Sequence, residues 1–476
     1  SLAAEFECWC RMFGHIKSVH FVGICGTAMA SVAAAMQDRG YTVTGSDQNI
    51  YPPMSTFLAE QKIQVIAGYD EKNLASRPDL VVIGNAISRG NPEAEAALER
   101  KLRYCSLPEL LKEFFIRGKR SLVVAGTHGK TTTTSLLTWV FEHNGKNPSY
   151  LIGGIPNNLH QGARFTDSDF FIIEGDEYDT AFFDKRSKFV HYLPEVVIIN
   201  NIEFDHADIF ENLPAIQLSF QRLINVVPRN GLLLANGDDA NVTPLLNVKH
   251  CPIRHFGFSE SNDIRAANLH LTGAASEFSV GSSTFRTSMI GELNVRNTLA
   301  VVACARHCGF TDQQIQSAFD TFTGVKRRME IRGVSGGVTV IDDFGHHPTA
   351  IRETMHALRV RFPGQRIWAV FEPRSNTTRR SVFQRELTDA LALADGVAVA
   401  RVARLELLAP DDRLDPNRLI AALQDRGKPA FYLPTADAIV EKLGETVQPN
   451  EVICVFSNGG FGGIHDKLLA RFSRAN

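Results

Sequence analysis

The 476-residue sequence predicts an α/β protein built as three successive domains. Three observations predict it. The length suits about three cores of ordinary size. Short apolar runs recur along the chain and end in polar or glycine-rich loops, as buried parallel strands do. Helical patterns lie between those runs, so the alternation of layered α/β folds repeats from end to end. The composition is 44% hydrophobic and 21% charged with a net charge of −2, which gives no support for a nucleic-acid or membrane-surface partner. No apolar run approaches the roughly 18 residues that span a bilayer. The opening "SLAAEFECWCRMFGHIKS" lacks the basic start and unbroken apolar core of a signal peptide. Eight cysteines are scattered. Cys8 and Cys10 are too close for an easy bridge, and "CARHC" (Cys304, Cys308) has no second ligand pair, so thiols in a reducing cytoplasm are expected.

The first domain, residues 15–115, opens with "HIKSVHFVGICGTAMASVAAAMQDRGYTVTGSD": strand, glycine loop, alanine-rich helix, second strand and an acid, Asp47. The dinucleotide fingerprint GxGxxG fails, because Cys25 and Ala28 stand at its second and third glycine places, leaving Gly23 and Gly26. The loop Gly23, Ile24, Cys25, Gly26, Thr27 can still present backbone N–H groups to a diphosphate, and Asp47 can accept hydrogen bonds from a base or ribose. A second loop, "VVIGNAISRGNPE", leaves another buried strand and can close over the same ligand through Asn85 and Ala86. A purely structural close-packing glycine turn is the plain alternative.

The second domain, residues 116–322, contains "VVAGTHGKTTTTSLL". Val123–Ala125 reads as a strand end, Gly126, Thr127, His128, Gly129 and Lys130 as a tight loop, and Thr131 onward as a helix with Leu136, Leu137 and Val140 inside. Such a turn aims several N–H groups and the positive end of a helix dipole at one point. Lys130 can reach terminal phosphates, and Thr131 or Thr132 can offer a hydroxyl to magnesium. Two further strands end in chemistry: "DFFIIEGDEYD" delivers Glu174, and "EVVIINNIEFDHADIF" delivers Asn201, Asp205, His206 and Asp208. Carboxylates and a histidine at such carboxyl ends can hold magnesium beside the phosphates. Asp176, Glu177 and Asp179 stay ambiguous, because loop acids are more often solvated.

The third domain, residues 323–476, begins with the basic hinge "TGVKRRMEIRG", from which Arg327 or Arg328 can reach phosphates. "GVTVIDDFGHHPTAI", "RIWAVFEPRSNT" and "EVICVFSNGGFGGIH" follow as strand–loop units. For His346–His347–Pro348 the reading favours a turn, a helix start and ligand positioning over a metal.

GTHGKTT, EGDEYD, NNIEFDHAD, GVKRRME and DDFGHHPT, in this order, make the chain resemble the Mur ligase family from end to end. The resemblance implies a Rossmann-like N-terminal domain for a UDP-sugar, a central P-loop ATPase with a parallel-rich sheet, and a Rossmann-like C-terminal domain that closes. It implies ATP-dependent amide-bond formation through an acyl phosphate, with Mg2+. The finer text ("YPPMSTFLAEQ", "GNAISRGNPE", "FEPRSNT", "FSNGGFGGIHDKLL") is most similar to the member that joins L-Ala-γ-D-Glu-meso-diaminopimelate to UDP-N-acetylmuramate in cell-wall recycling. The alternative inside the family adds free L-alanine. Alternatives outside it are a nucleotide-hydrolysing switch and, against the failed fingerprint, an oxidoreductase.

Carried over by motif, Lys130 holds the β- and γ-phosphates, Thr131 and Glu174 serve a first magnesium, and His206 a second. Asn294 and Asn297 lie on the adenine side, and Arg327 and Asp343 approach ATP from the hinge and the third domain. Arg374, Ser375, Asn376, Ser457 and Asn458 are expected to meet the acceptor peptide, Arg374 through a bidentate carboxylate contact. Two places depart from the family pattern. "GELN" puts Leu293 where a histidine is usual, and "SFQRL" puts Gln221 where several members carry a carbamoylated lysine about fifteen residues after the metal histidine.

Overall fold

A computed structural model describes residues 15–473. The readings on Cys8, Cys10 and most of the N-terminal stretch lie outside the described residues. Three α/β sheets follow one another, and no described helix is long and apolar enough to cross a membrane.

The first sheet has the order Gln64–Ala67, Thr42–Asp47, Ser18–Val22, Leu80–Ile83, Tyr104–Ser106, all parallel. Strand order reverses between Ser18–Val22 and Leu80–Ile83. The loops after these two strands, starting at Gly23 and Gly84, therefore flank the crevice where parallel sheets collect ligands.

The central sheet runs Ile264–Arg265, Ile253–Gly257, Leu232–Asn236, Pro194–Ile199, Arg120–Ala125, Phe170–Gly175, Ser149–Leu151, Ala163–Arg164, with only the last strand antiparallel. Arg120–Ala125 lies between the strands carrying the other two motifs. Val124 pairs with Glu174 and Ala125 with Ile199, so all three motif-bearing ends finish side by side. The helices Lys130–His143 and Glu292–His307 cover one face through Leu136, Leu137, Val140, Leu299 and Val302, and Leu213–Asn225 covers the other through Phe220 and Leu223. A three-stranded antiparallel sheet, Ala267–Leu271, Ser276–Val280 and Ser283–Thr287, was not anticipated from sequence.

In the third sheet Glu330–Ser335 pairs antiparallel with Val338–Asp343. Val452–Phe456, Ile367–Phe371, Gly396–Ala400 and Ala430–Leu433 continue in parallel. Asp343, Phe456 and Phe371 are in register, which brings the loops GHHPT, SNGG and EPRSNT to one edge.

The first two sheets share apolar packing: one core runs from Val32 and Met36 through Phe114 and Phe115 to Phe171 and Ile173. The third has its own cores on its two faces, around Phe371 and Leu391 and around Trp368 and Phe461. It meets the central sheet largely through hydrogen bonds: Thr377 Oγ1 to Asp205 (2.8 Å), Asn376 Nδ2 to Asp208 (2.8 Å), Thr349 Oγ1 to Glu203 (2.7 Å) and His347 Nε2–H to the Phe204 carbonyl (3.1 Å).

Candidate active site

The phosphate loop is shaped by two glycines and laced to the neighbouring strand end. Gly126 (φ +141°) and Gly129 (φ +79°) adopt backbone that favours glycine. A Cβ on Gly129 would also collide with the Asn297 amide. Thr127 N–H donates to the Asn201 carbonyl (3.0 Å), His128 N–H to Asn201 Oδ1 (2.7 Å), and Glu203 N–H to Thr127 Oγ1 (2.8 Å). The helix begins at Lys130, so its first-turn N–H groups face the loop.

Lys130 Nζ donates to both oxygens of Glu177 (2.9 and 2.8 Å) and to the Gly126 carbonyl (2.6 Å). Burial opposes its charge, but Glu177 and Glu174 outweigh burial and raise its pKa. Glu177, itself buried, is held ionised against the same penalty by Lys130 and by His206, whose Nε2–H donates to it at 2.9 Å. Thr131 Oγ1 donates to Glu174 Oε1 (3.0 Å), and Gly153 N–H to Glu174 Oε2 (2.8 Å). Burial raises the Glu174 pKa more than Lys130 lowers it, so this carboxyl favours an added cation. Hard oxygen donors in this pair fit a magnesium ion.

A cavity of about 1770 Å³ opens over these groups. Among the expected ATP residues, Thr127, His128, Gly129, Lys130, Thr131, Thr132, Asn294, Asn297 and Asp343 line it, with Glu174 and His206. Asn294 and Asn297 are hydrogen-bonded to each other (3.3 Å) at the start of the helix Glu292–His307, and Leu293 lines the wall beside them. Gln221 lies on the helix Leu213–Asn225 and donates to Asn225 (3.3 Å).

Arg327 does not line the cavity. Its guanidinium donates to the Ser457 (2.7 Å) and Gly459 (2.8 Å) carbonyls and pairs with Asp342, so it is spent inside the third domain. Its neighbour Arg328 lines the cavity and donates to Thr131 Oγ1 at 3.2 Å. Positive φ at Arg327 (+60°) and Met329 (+49°) sets which arginine faces which way.

Of the expected UDP-sugar residues, Gly26, Thr27 and Asn85 line the cavity, while Gly23, Ile24, Cys25, Asp47 and Ala86 do not. Asp47 is buried and accepts the Cys25 (2.9 Å) and Asn49 (2.9 Å) N–H groups, one on each carboxylate oxygen, so it shapes the glycine loop. None of Arg374, Ser375, Asn376, Ser457 and Asn458 lines the cavity. Ser457 donates to Glu372 (2.5 Å), Ser375 pairs with Thr378 (2.7 Å) and Asn376 docks on Asp208. Arg374 lies half exposed across Gly459, near Glu372, and Asn458 keeps a buried carbonyl oxygen without a protein partner.

Family models match along the chain: Mur ligase family, catalytic domain, over 18–119; Mur ligase middle domain over 124–305; and Mur ligase, glutamate ligase domain, over 327–459. The chain belongs to the Mur ligase family. Within it, the chain is 44% identical over 457 residues to the UDP-N-acetylmuramate–L-alanyl-γ-D-glutamyl-meso-2,6-diaminoheptandioate ligase of Escherichia coli (strain K12), covering 95% of this chain and 97% of that one. The UDP-N-acetylmuramate–L-alanine ligase of Geobacter sulfurreducens is 32% identical over 476 residues (98% and 99%). The crystal structure of a murein peptide ligase from Psychrobacter arcticus superposes with a TM-score of 0.70 at 34% identity, covering 96% of this Mur ligase and 99% of that chain.

Sequence reasoning underrated Glu177, Glu203 and Arg328. Glu177 stood three residues beyond Glu174 in a quoted motif, but a loop acid there reads the same whether solvated or buried against a lysine.

Proposed function

We propose that this Mur ligase joins the tripeptide L-Ala-γ-D-Glu-meso-diaminopimelate, through its free amine, to the lactyl carboxylate of UDP-N-acetylmuramate at the expense of ATP, in cell-wall recycling. The observation that carries this reading is its end-to-end 44% identity to the E. coli tripeptide ligase, against 32% to the L-alanine ligase.

A carboxylate is a poor acylating agent, so its oxygen first attacks the γ-phosphorus. The bond from that phosphorus to the β–γ bridging oxygen breaks, and ADP departs with the electron pair. Lys130, exchanging Glu177 for phosphate oxygens, and Arg328 stabilise the charge on the transferring group. Thr131 and Glu174 would hold a magnesium ion, with His206 beside a second. Magnesium, when bound, supplies neutralisation of phosphate charge. The amine nitrogen then bonds to the acyl carbon, the carbon–oxygen bond to phosphate breaks, and an amine proton passes to a base. Docking of the third domain over the cavity keeps water from the acyl phosphate. Arg374, half exposed outside the cavity, is proposed to meet the peptide's polar groups.

ADP release with UDP-N-acetylmuramate plus either tripeptide or free L-alanine tests the reading. Turnover with tripeptide is expected to be much the faster, and Arg374→Lys to raise its KM. A preference for L-alanine would favour the alanine-ligase reading, and ADP release indifferent to UDP-sugar would favour a hydrolysing switch.

A further inference from the structure

Beside the magnesium pair, a second group of donors converges where the phosphate loop meets the third domain. We propose that His128, Glu203 and His347 form a binding site for a divalent transition-metal ion of the zinc class, with ligands from both sides of that seam. His128 Nε2 lies 3.2 Å and His347 Nδ1 3.5 Å from the same oxygen, Glu203 Oε2, and one donor atom from each residue falls within 4.8 Å of the others. Tetrahedral zinc with bonds of about 2.0–2.1 Å holds its ligand atoms about 3.4 Å apart. Both measured edges match that spacing. The third edge closes by a small approach of the two imidazoles, whose ring centres are already 4.6 Å apart.

The tautomer is preset. His347 Nε2–H donates to the Phe204 carbonyl (3.1 Å), so Nδ1 is the unprotonated nitrogen; its lone pair caps the helix by accepting the Thr349 N–H (3.2 Å), and an ion bound there displaces that bond. An imidazole anchored through its other nitrogen to a carbonyl is the usual support of a metal-bound histidine. The Thr349 hydroxyl donates to the ligand oxygen itself, Glu203 Oε2, at 2.7 Å and fixes its position, and Asn201 holds the backbone of His128. Both histidines line the cavity, which leaves a fourth position open to water. Two imidazoles and one carboxylate suit zinc, cobalt or nickel, whereas magnesium prefers oxygen donors such as Thr131 and Glu174. The sequence reading favoured ligand positioning over a metal for the His346–His347 pair, and the proposal departs from it at His347 alone.

The test uses the full chain without nucleotide, in excess magnesium, and needs no turnover, so its outcome is independent of the ligase reading. Equilibrium dialysis with zinc is expected to give one ion per chain, and cobalt to give the intense visible absorption of a tetrahedral site. Asparagine also caps helices, so His347→Asn keeps the start of the helix Pro348–Arg361, and an unchanged metal-free melting temperature will show it. His347→Asn and Glu203→Gln are each expected to lower zinc affinity by about a hundredfold or more. Absence of stoichiometric binding overturns the proposal. So does binding that survives both substitutions, or that is lost only in His206→Ala, which would place the ion among the magnesium ligands.

Discussion

Lys130 stays charged in a buried place because Glu177 lies against it, and the pair must part before phosphate can bind. Lys130→Ala is expected to cut ligation on the order of a hundredfold or more, since a charge-assisted contact to the transferring phosphoryl is lost. His206 remains as a partner for Glu177, so the fold should persist. ADP release and circular dichroism check the two halves of that expectation. At Gly129 the expectation is different in kind: Gly129→Ala adds about 1–2 kcal/mol of left-handed backbone strain and a clash with Asn297, so both melting temperature and ATP affinity should fall. Thermal denaturation with and without ATP measures both. Lys130, Thr131 and Glu174 were legible in the sequence because a strand exit fixes where their side chains emerge. The choice between Arg327 and Arg328 was not legible. Adjacent arginines look alike until the positive φ at Arg327 turns one toward the third sheet and the other toward Thr131.

At the scale of elements, three adjacent strands ending in register make one site of three separate motifs; the apolar runs marked the three strand ends, and the sheet order supplies their adjacency. The antiparallel strands between residues 267 and 287 escaped notice because "ANLHL" and "SEFSV" are short and half polar, without the continuous apolar signal of the parallel strands. The glycine loop of the first sheet shows how an element can relay a residue's effect. Asp47 holds the loop by its Cys25 and Asn49 bonds, so Asp47→Ala should loosen the loop and weaken UDP-sugar binding several-fold while ATP binding holds. Isothermal titration with each ligand checks this, and equal losses would contradict it.

Across the whole molecule, a shared apolar core joins the first two domains, whereas polar contacts prevail where the third meets the centre. Polar interfaces of that sort permit domain motion, and they also respond to acid. His128 and Thr349 are among the groups that overcome the burial of Glu203 and hold it at about 2. Burial, with His128 nearby, pushes His347 down to about 4. Both groups therefore bind fewer protons folded than unfolded, so their contribution to stability grows with pH. It is complete above the ordinary histidine range. It declines between pH 6.5 and 4, where the unfolded imidazole of His347 takes up a proton that the folded one resists, and further from 4.5 to 2 in the same way through Glu203. Melting temperatures across this range are expected to fall on acidification, and His347→Asn to flatten the upper limb.

The loop at residues 203–208 is bonded to the phosphate loop on one side and to Thr349, Asn376 and Thr377 on the other. For anyone building chimaeras between Mur ligases, the exchangeable module is then not the C-terminal segment alone. A transplanted third domain must bring its own version of this loop, or it will arrive at a socket cut for a different plug.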